Sequence, residues 1–273
     1  MGDSMIRLEG IKKAYGKHEV LKGVNMQINK GDIYGLVGRN GAGKTTIFKM
    51  ILGLSTPNEG EVSIENSKTE KELMAARSRM GFLVGTHFYK NMSARDNLEY
   101  FASVKGIKHS EIKNEVVRVL DIVGLKDDKK PARNFSLGMG QRLGIGIALL
   151  GSPDILILDE PTNGLDPQGI SDIRNMVKRF RDEFGMTVIV SSHILGELEH
   201  TADRFGIVNE GIVVKEIDQD DLKEKRRAVE IEVDDLEKAR KALKENDVNI
   251  LREVEERTTL EDYYFRLVGG EKK

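Results

Sequence analysis

Apolar and polar residues alternate at Ile6-Arg7-Leu8 and again at Val24-Asn25-Met26-Gln27-Ile28, a period of two that predicts half-buried strands. Asn29-Lys30-Gly31-Asp32 is a turn, and Ile33-Tyr34-Gly35-Leu36-Val37 reads as a short buried strand. From Thr46 to Leu52 the apolar residues fall on a helical period. Thr56-Pro57-Asn58-Glu59-Gly60 then breaks the chain, and Glu61-Val62-Ser63-Ile64 alternates once more. Thr69 and Glu72 suit a capping box for a short helix, and Met80-Gly81-Phe82-Leu83-Val84 is a second strand of the buried type. The texture changes at Ser93. From there to about Leu150 the pattern is helical: Ser93 caps a helix with Leu98, Phe101 and Val104 on one side, and Ser110 caps another with Ile112, Val116, Val119, Leu120 and Val123. Strands resume at Ile155-Leu156-Ile157-Leu158 and Thr187-Val188-Ile189-Val190. Ile207-Val208, Asn209-Glu210-Gly211 and Ile212-Val213-Val214 read as a hairpin. A helical block is thus inserted into an α/β core.

Past about Lys215 the composition shifts to charge. Asp221-Leu222-Lys223-Glu224-Lys225-Arg226-Arg227 is a solvated helix or linker; a basic contact patch is the alternative, weakened by the interleaved acids. Val229–Val233 alternates, Leu236, Ala239 and Leu243 form a helical stripe, Val248–Val254 suits a strand and Leu260–Leu267 a final helix. These segments predict a small C-terminal α+β appendage. There is no internal repeat.

The chain has 273 residues, enough for one large domain and an appendage. A net charge of −2 gives no global field toward nucleic acid or an anionic membrane. With no cysteine, disulfides and thiolate metal sites are excluded, which fits a reducing compartment. No apolar run approaches the ~18 residues of a membrane-spanning helix, and the polar start shows no signal peptide.

Gly38-Arg39-Asn40-Gly41-Ala42-Gly43-Lys44-Thr45 fits G-x-x-x-x-G-K-[ST] in full, between a predicted strand and the helix that Thr46 opens. The glycines let successive backbone N–H groups face phosphate oxygens, and the helix N-terminus adds partial positive charge. Lys44 is expected to reach the β- and γ-phosphates, and Thr45 to place its hydroxyl on Mg2+. Ile155-Leu156-Ile157-Leu158-Asp159-Glu160 is an apolar strand ending in two acids. In a P-loop protein Asp159 would hold Mg2+ and Glu160 would align and polarise water at the γ-phosphate. Ser136, just upstream, suits the N-cap of a helix carrying Leu143, Ile147 and Leu150; taken alone this is an ordinary capped helix, and its place just before the Asp-Glu strand points to a second anion-binding helix end.

In order, the chain presents the P-loop, a helical insertion, Ser136-Leu137-Gly138-Met139-Gly140-Gln141-Arg142, the Asp-Glu strand, Gly164-Leu165-Asp166 and Ser191-Ser192-His193. In this order, from about Ile6 to Val214, it resembles the ATP-binding cassette (ABC) ATPases. Within them, the Ser136–Arg142 segment and the tail Leu260-Glu261-Asp262-Tyr263-Tyr264-Phe265 with Gly269-Gly270 look like cassettes of two-component bacitracin- and lantibiotic-resistance exporters. The resemblance implies two cassettes closing head-to-tail on two ATP molecules, with Ser136 and Gly138 of one subunit at the γ-phosphate held by the other. It implies that Tyr15 stacks on adenine, with a packing tyrosine as the alternative. It also implies that His193 contacts the γ-phosphate and orients water, and that Asp166 lies in the loop bridging the two sites. Two positions depart from the family. Gly85 stands where a glutamine usually contacts Mg2+, leaving Thr86, His87 or water to replace it. Met139 stands where a signature glutamine bonds ATP.

The expected architecture is therefore α/β: a P-loop ABC ATPase core (5–214) with an antiparallel β subdomain and an inserted helical subdomain (about 86–152), plus a C-terminal accessory domain (215–273). The resemblance implies a Mg2+-dependent ATPase subunit of an exporter, cytoplasmic and peripheral on the inner face of the membrane. It would be homodimeric with ATP, docked on separate permease subunits near Phe88, Tyr89 and Lys90, and would have no nucleic-acid partner. Phe88 and Tyr89 could instead be buried. A soluble ABC ATPase acting on a machine such as the ribosome is the alternative. The cargo would be read by the permease, so the chain does not name it.

Overall fold

The computed structural model describes residues 4–67, 69–85, 88–223, 233–246, 248 and 250. The chain divides into two units, Met1–Lys225 and Arg226–Lys273. In the first, β1 (Ser4–Tyr15), β2 (His18–Asn29) and β4 (Glu59–Ile64) pair antiparallel in the order β2-β1-β4. The alternation read in the sequence is the pleat: Ile6 and Leu8 are buried while Arg7 and Glu9 are exposed.

The larger sheet follows the order β5-β6-β7-β3-β8-β9. Its strands are β3 (Ile33–Val37), β5 (Met80–Leu83), β6 (Ile155–Leu158), β7 (Thr187–Ser192), β8 (Arg204–Asn209) and β9 (Ile212–Asp218). All pairs are parallel except β8 with β9, the predicted hairpin. Every residue of β3, β6 and β7 is buried, because both faces of the sheet are covered. Toward one face, Leu83, Leu156, Leu158, Val188 and Val190 join a core with α3 (Ala94–Val104), α4 (His109–Val123), α5 (Leu137–Leu149) and α6 (Pro167–Asp182). Toward the other, Tyr34, Leu36, Ile155, Ile157 and Ile189 join α1 (Lys44–Ile51) and the three-stranded sheet. This is the expected α/β core with an antiparallel subdomain and inserted helices. The described residues of the first unit also include the short helices α2 (Glu70–Ser78), α7 (Leu195–Glu199) and α8 (Gln219–Lys223) and a 3-10 turn at Ala132–Asn134.

Thr69 and Glu72 form the expected capping box on α2, and Ser93 caps α3 in a box closed by Asp96. Ser110 does not cap α4. The cap position is Lys108, two residues earlier, whose carbonyl accepts from the Glu111 N–H at 2.8 Å, so Ser110 lies inside the first turn. The sequence reading named no helix after Asp166, yet α6 follows it directly. Asp166 accepts from the Gly169 N–H at 2.9 Å, Pro167 opens the helix, and Ile173, Met176, Val177 and Phe180 bury one face.

In the second unit α9 (Leu236–Glu245) is capped by Asp235, which accepts from the Lys238 N–H at 3.1 Å. Its expected stripe of Leu236, Ala239 and Leu243 is present as a helix face, with no residue of α9 buried. The alternating segment before Val233, most of the strand expected at 248–254, the helix expected at 260–267 and the exporter-like tail lie outside the described residues, as do Thr86 and His87.

Candidate nucleotide site

The loop between β3 and α1 is shaped by close backbone approach. A Cβ on Gly38 would stand 2.4 Å from the Val208 carbonyl oxygen. Gly43 caps α1 at φ +113, and Gly41 lies at φ +82. The loop is also pinned by backbone hydrogen bonds, Ala42 N to Arg39 O at 3.1 Å and Gly211 N to Ala42 O at 3.0 Å. Arg39 and Asn40 are exposed on its outer side, Thr45 is exposed at the start of the helix and Thr46 is half-buried beside it. The Lys44 side chain is only 6% exposed. It donates to Gly38 O at 2.6 Å and Arg39 O at 3.3 Å, and its ammonium lies 3.1 Å from Glu160 Oε1. That oxygen has no partner of hydrogen-bond geometry, so the pair is held by charge alone.

Four of the residues singled out in the sequence converge with Lys44. Thr45 Oγ1 donates to Asp159 Oδ2 at 2.6 Å, and His193 Nδ1 is 2.7 Å from Glu160 Oε2. Glu160 sits at φ +50, a left-handed conformation that strains a residue with a Cβ by about 1–2 kcal/mol. Ser191, to which the sequence reading gave no role, holds this corner together. Its hydroxyl donates to Asp159 Oδ1 at 2.6 Å and accepts from the Glu160 N–H at 2.8 Å. The register explains why: Leu158 pairs with Val190, so the acids leave β6 beside the serines that end β7.

A second grouping forms at the start of α5. Ser136 accepts from the Met139 N–H at 3.2 Å, and the Leu137 and Gly138 N–H groups belong to the turn that has no intrahelical acceptor. A Cβ on Gly164 would come within 3.0 Å of Leu137 Cδ2, and one on Gly138 within 3.8 Å of Leu165 Cδ2, so the helix end packs on the loop leading to Asp166. Met139 Sδ lies 3.8 Å from Lys130 Nζ. Tyr15 ends β1, half exposed; its hydroxyl is 3.3 Å from Ser55 Oγ and Lys13 lies over its ring at 5.1 Å. Gly85 is exposed at φ +74. Phe88 is half-buried and packs on the core, whereas Tyr89 is exposed and meets the Tyr100 ring edge-on. Beside Gly85 opens an apolar groove of about 320 Å³, lined by Phe82, Val84, Phe101, Val104 and Ile147.

Among the described residues no group of three or more His, Asp or Glu side chains could hold a metal ion. The Thr45 hydroxyl and Asp159 carboxylate are nevertheless hard oxygen donors in contact, and Mg2+ takes one or two carboxylates and fills its shell with phosphate and water. The residues present fit that ion. The glycine-lined loop, where a side chain on Gly38 would strike the Val208 carbonyl, likewise fits phosphate.

The sequence model of the ABC transporter family matches residues 21–163. The bacitracin transport ATP-binding protein BcrA of Bacillus licheniformis is 39% identical over 98% of each chain. The lantibiotic transport ATP-binding protein SrtF of Streptococcus pyogenes is 44% identical over 79% of this chain and 92% of its own. Among solved structures, cbiO1 of Clostridium perfringens, part of the ABC transporter complex cbiONQ, has a TM-score of 0.73 at 28% identity, covering 81% of this chain and 91% of that one. A dimeric ATP-binding cassette bound to ADP and Pi has a TM-score of 0.71 at 28% identity, covering 79% and 99%.

Proposed function

This chain belongs to the ABC transporter family as an ATPase subunit, and we propose that it drives export of a peptide antibiotic or drug through separate permease subunits. The relatives named for bacitracin and lantibiotic transport support that cargo class, one of them along almost the whole chain. ABC ATP-binding subunits generally dimerise and pair with membrane permeases. Among the described residues no helix is long and apolar enough to cross a membrane. We place the protein at the cytoplasmic face, held there by its permease, with a permease helix seated in the apolar groove beside Gly85.

One observation carries the catalytic reading: the contact of Glu160 with both Lys44 and His193 beside the Thr45–Asp159 pair. Lys44 exchanges its loop carbonyls for the β- and γ-phosphate oxygens of ATP, aided by the loop N–H groups from Gly38 to Thr46. Thr45 and Asp159 would hold Mg2+, which when bound would offset phosphate charge. Glu160 orients the attacking water and takes its proton, while His193 keeps the carboxylate in place and contacts the γ-phosphate. Tyr15 stacks on the adenine. Ser136 and Gly138 of the opposite subunit, set by the Asp166 loop on which their helix packs, complete the γ-phosphate site.

Glu160→Gln tests this reading. The variant binds MgATP, loses ~10²–10⁴-fold in turnover, and sediments as a dimer in ATP but as a monomer in ADP. A variant that stays monomeric at saturating MgATP rejects the sandwich, and one that keeps its turnover rejects Glu160 as the base.

A further inference from the structure

Glu160 and His193 meet at 2.7 Å although they stand on loops leaving different strands, β6 and β7. Contact between two such loops persists only where something fixes one against the other. Ser191 secures the start of the Glu160 loop, but it lies ahead of His193 and does not hold the chain beyond Glu160. A single carboxylate oxygen joins both loops on their far sides. Glu197 Oε2 accepts from Thr162 Oγ1 at 2.7 Å, just past Glu160, and from Ser192 Oγ at 3.0 Å, immediately before His193. The Ser192 hydroxyl also accepts from the Ile194 N–H at 3.0 Å, which folds the chain around His193.

The clamp has a firm base. Glu197 stands on α7, whose Leu198 is 3% exposed and packs over Gly35 of β3, where a Cβ would meet it at 3.2 Å. Thr201 Oγ1 bonds the Glu197 carbonyl at 3.3 Å. Ser192 is itself 1% exposed, so its hydroxyl has few alternatives in water.

We infer that Glu197 is a positioning residue for ATP hydrolysis: through Thr162 and Ser192 its carboxylate holds Glu160 and His193 at hydrogen-bond distance. The inference rests on Glu160 acting as the base. Displacing a reacting group by about 1 Å costs ~10²-fold in rate, so a clamp of this kind governs turnover and leaves nucleotide binding alone.

The test is steady-state hydrolysis and nucleotide binding by the full-length chain. Glu197→Ala lowers kcat by roughly ten- to a hundredfold, and its affinity for MgATP stays within about twofold of the parent. Glu197→Gln, whose amide oxygen can accept from both hydroxyls, recovers most of the turnover. Thr162→Val removes one arm at nearly constant volume, gives an intermediate loss, and carries the test if Glu197→Ala does not fold. In a His193→Ala background Glu197→Ala adds less than about twofold, because the contact it protects is already gone. Unchanged turnover in Glu197→Ala overturns the proposal. So does an equal loss in both backgrounds, or a loss of MgATP binding in step with kcat. Glu160→Gln discriminates the two levels. If it loses turnover while Glu197→Ala keeps it, this inference alone fails; if it keeps turnover, the reading of the site fails.

Discussion

Gly38 and Gly41 share one loop and need the absence of a side chain for different reasons. Gly38 is hemmed in by the Val208 carbonyl, whereas Gly41 has open space around it and needs only its left-handed φ of +82. Their alanine variants therefore separate sterics from backbone strain. Gly38→Ala forces the loop off β8, costs about 1–3 kcal/mol in stability, and weakens MgATP binding by about tenfold, equivalent to 1.4 kcal/mol. Gly41→Ala pays about 1–2 kcal/mol of strain and retains more affinity than Gly38→Ala. Calorimetric titration with MgATP and thermal melts check both; equal affinity losses would mean that contact with β8 is not what shapes the loop. Glu160, in a left-handed conformation without being glycine, is a second residue whose backbone is dictated by its neighbours. Ser191 and the turn bond from Asn163 N to Glu160 O at 3.2 Å hold it there.

Helix α5 carries Ser136 at one end and is anchored at the other. Lys105 Nζ donates to Leu150 O at 2.8 Å and Arg118 to Leu149 O at 3.1 Å, both cations at the negative end of the helix. Glu115 on α4 ties this corner together, accepting from the Gly151 N–H at 2.6 Å and from Arg118 at 2.7 Å. Midway, Arg142 joins α5 to Val123 O at 2.9 Å and to Asp172 of α6 at 2.7 Å. Burial pushes the Glu115 carboxyl up, but the Arg118 and Gly151 hydrogen bonds and the charges of Arg118 and Lys105 outweigh it and hold its pKa below the usual value. A depressed carboxylate stabilises the fold above its unfolded pKa and loses that contribution as pH falls through the folded one. Glu115→Gln is thus expected to lower stability by about 1–2 kcal/mol at neutral pH. The gap to the parent closes as pH drops below about 4. Melting curves across that range decide it; a pH-independent difference would assign the effect to packing instead.

At the scale of the molecule, the groove beside Gly85 lies where the strand β5 meets the inserted helices α3 and α5. Val104 lines it and is 67% exposed, so a charge there disturbs no buried contact. Val104→Asp is expected to leave the melting temperature and basal ATP hydrolysis unchanged and to abolish recovery of a polytopic membrane protein in gentle-detergent purification from native membranes. Equal recovery from parent and variant would move the docking surface elsewhere. A permease recovered in fixed ratio with the parent also supplies the subunit whose cargo can be tested.

Much of this protein is local and was legible as such. The phosphate-binding role proposed for Gly38 to Thr45 would rest on contiguous backbone, so a local motif suffices to suggest it; the alternation of β1 and β2 and the caps at Thr69, Ser93 and Ser136 are equally short-range signals. Asp166 followed by Pro167 is likewise a local helix-start signal, and α6 begins there. Ser110 misled because a capping preference is worth only about 1 kcal/mol, too little to override where the chain's first helical hydrogen bonds form. What the tertiary structure alone decided is which side chains meet across strands. Ser191 reaches Asp159, and Glu197 reaches Thr162 and Ser192, because β6 and β7 pair in parallel with Leu158 beside Val190 and α7 packs back onto β3. A sequence names the residues on each loop, but the distance between loops is set by sheet register and packing, which no local pattern records.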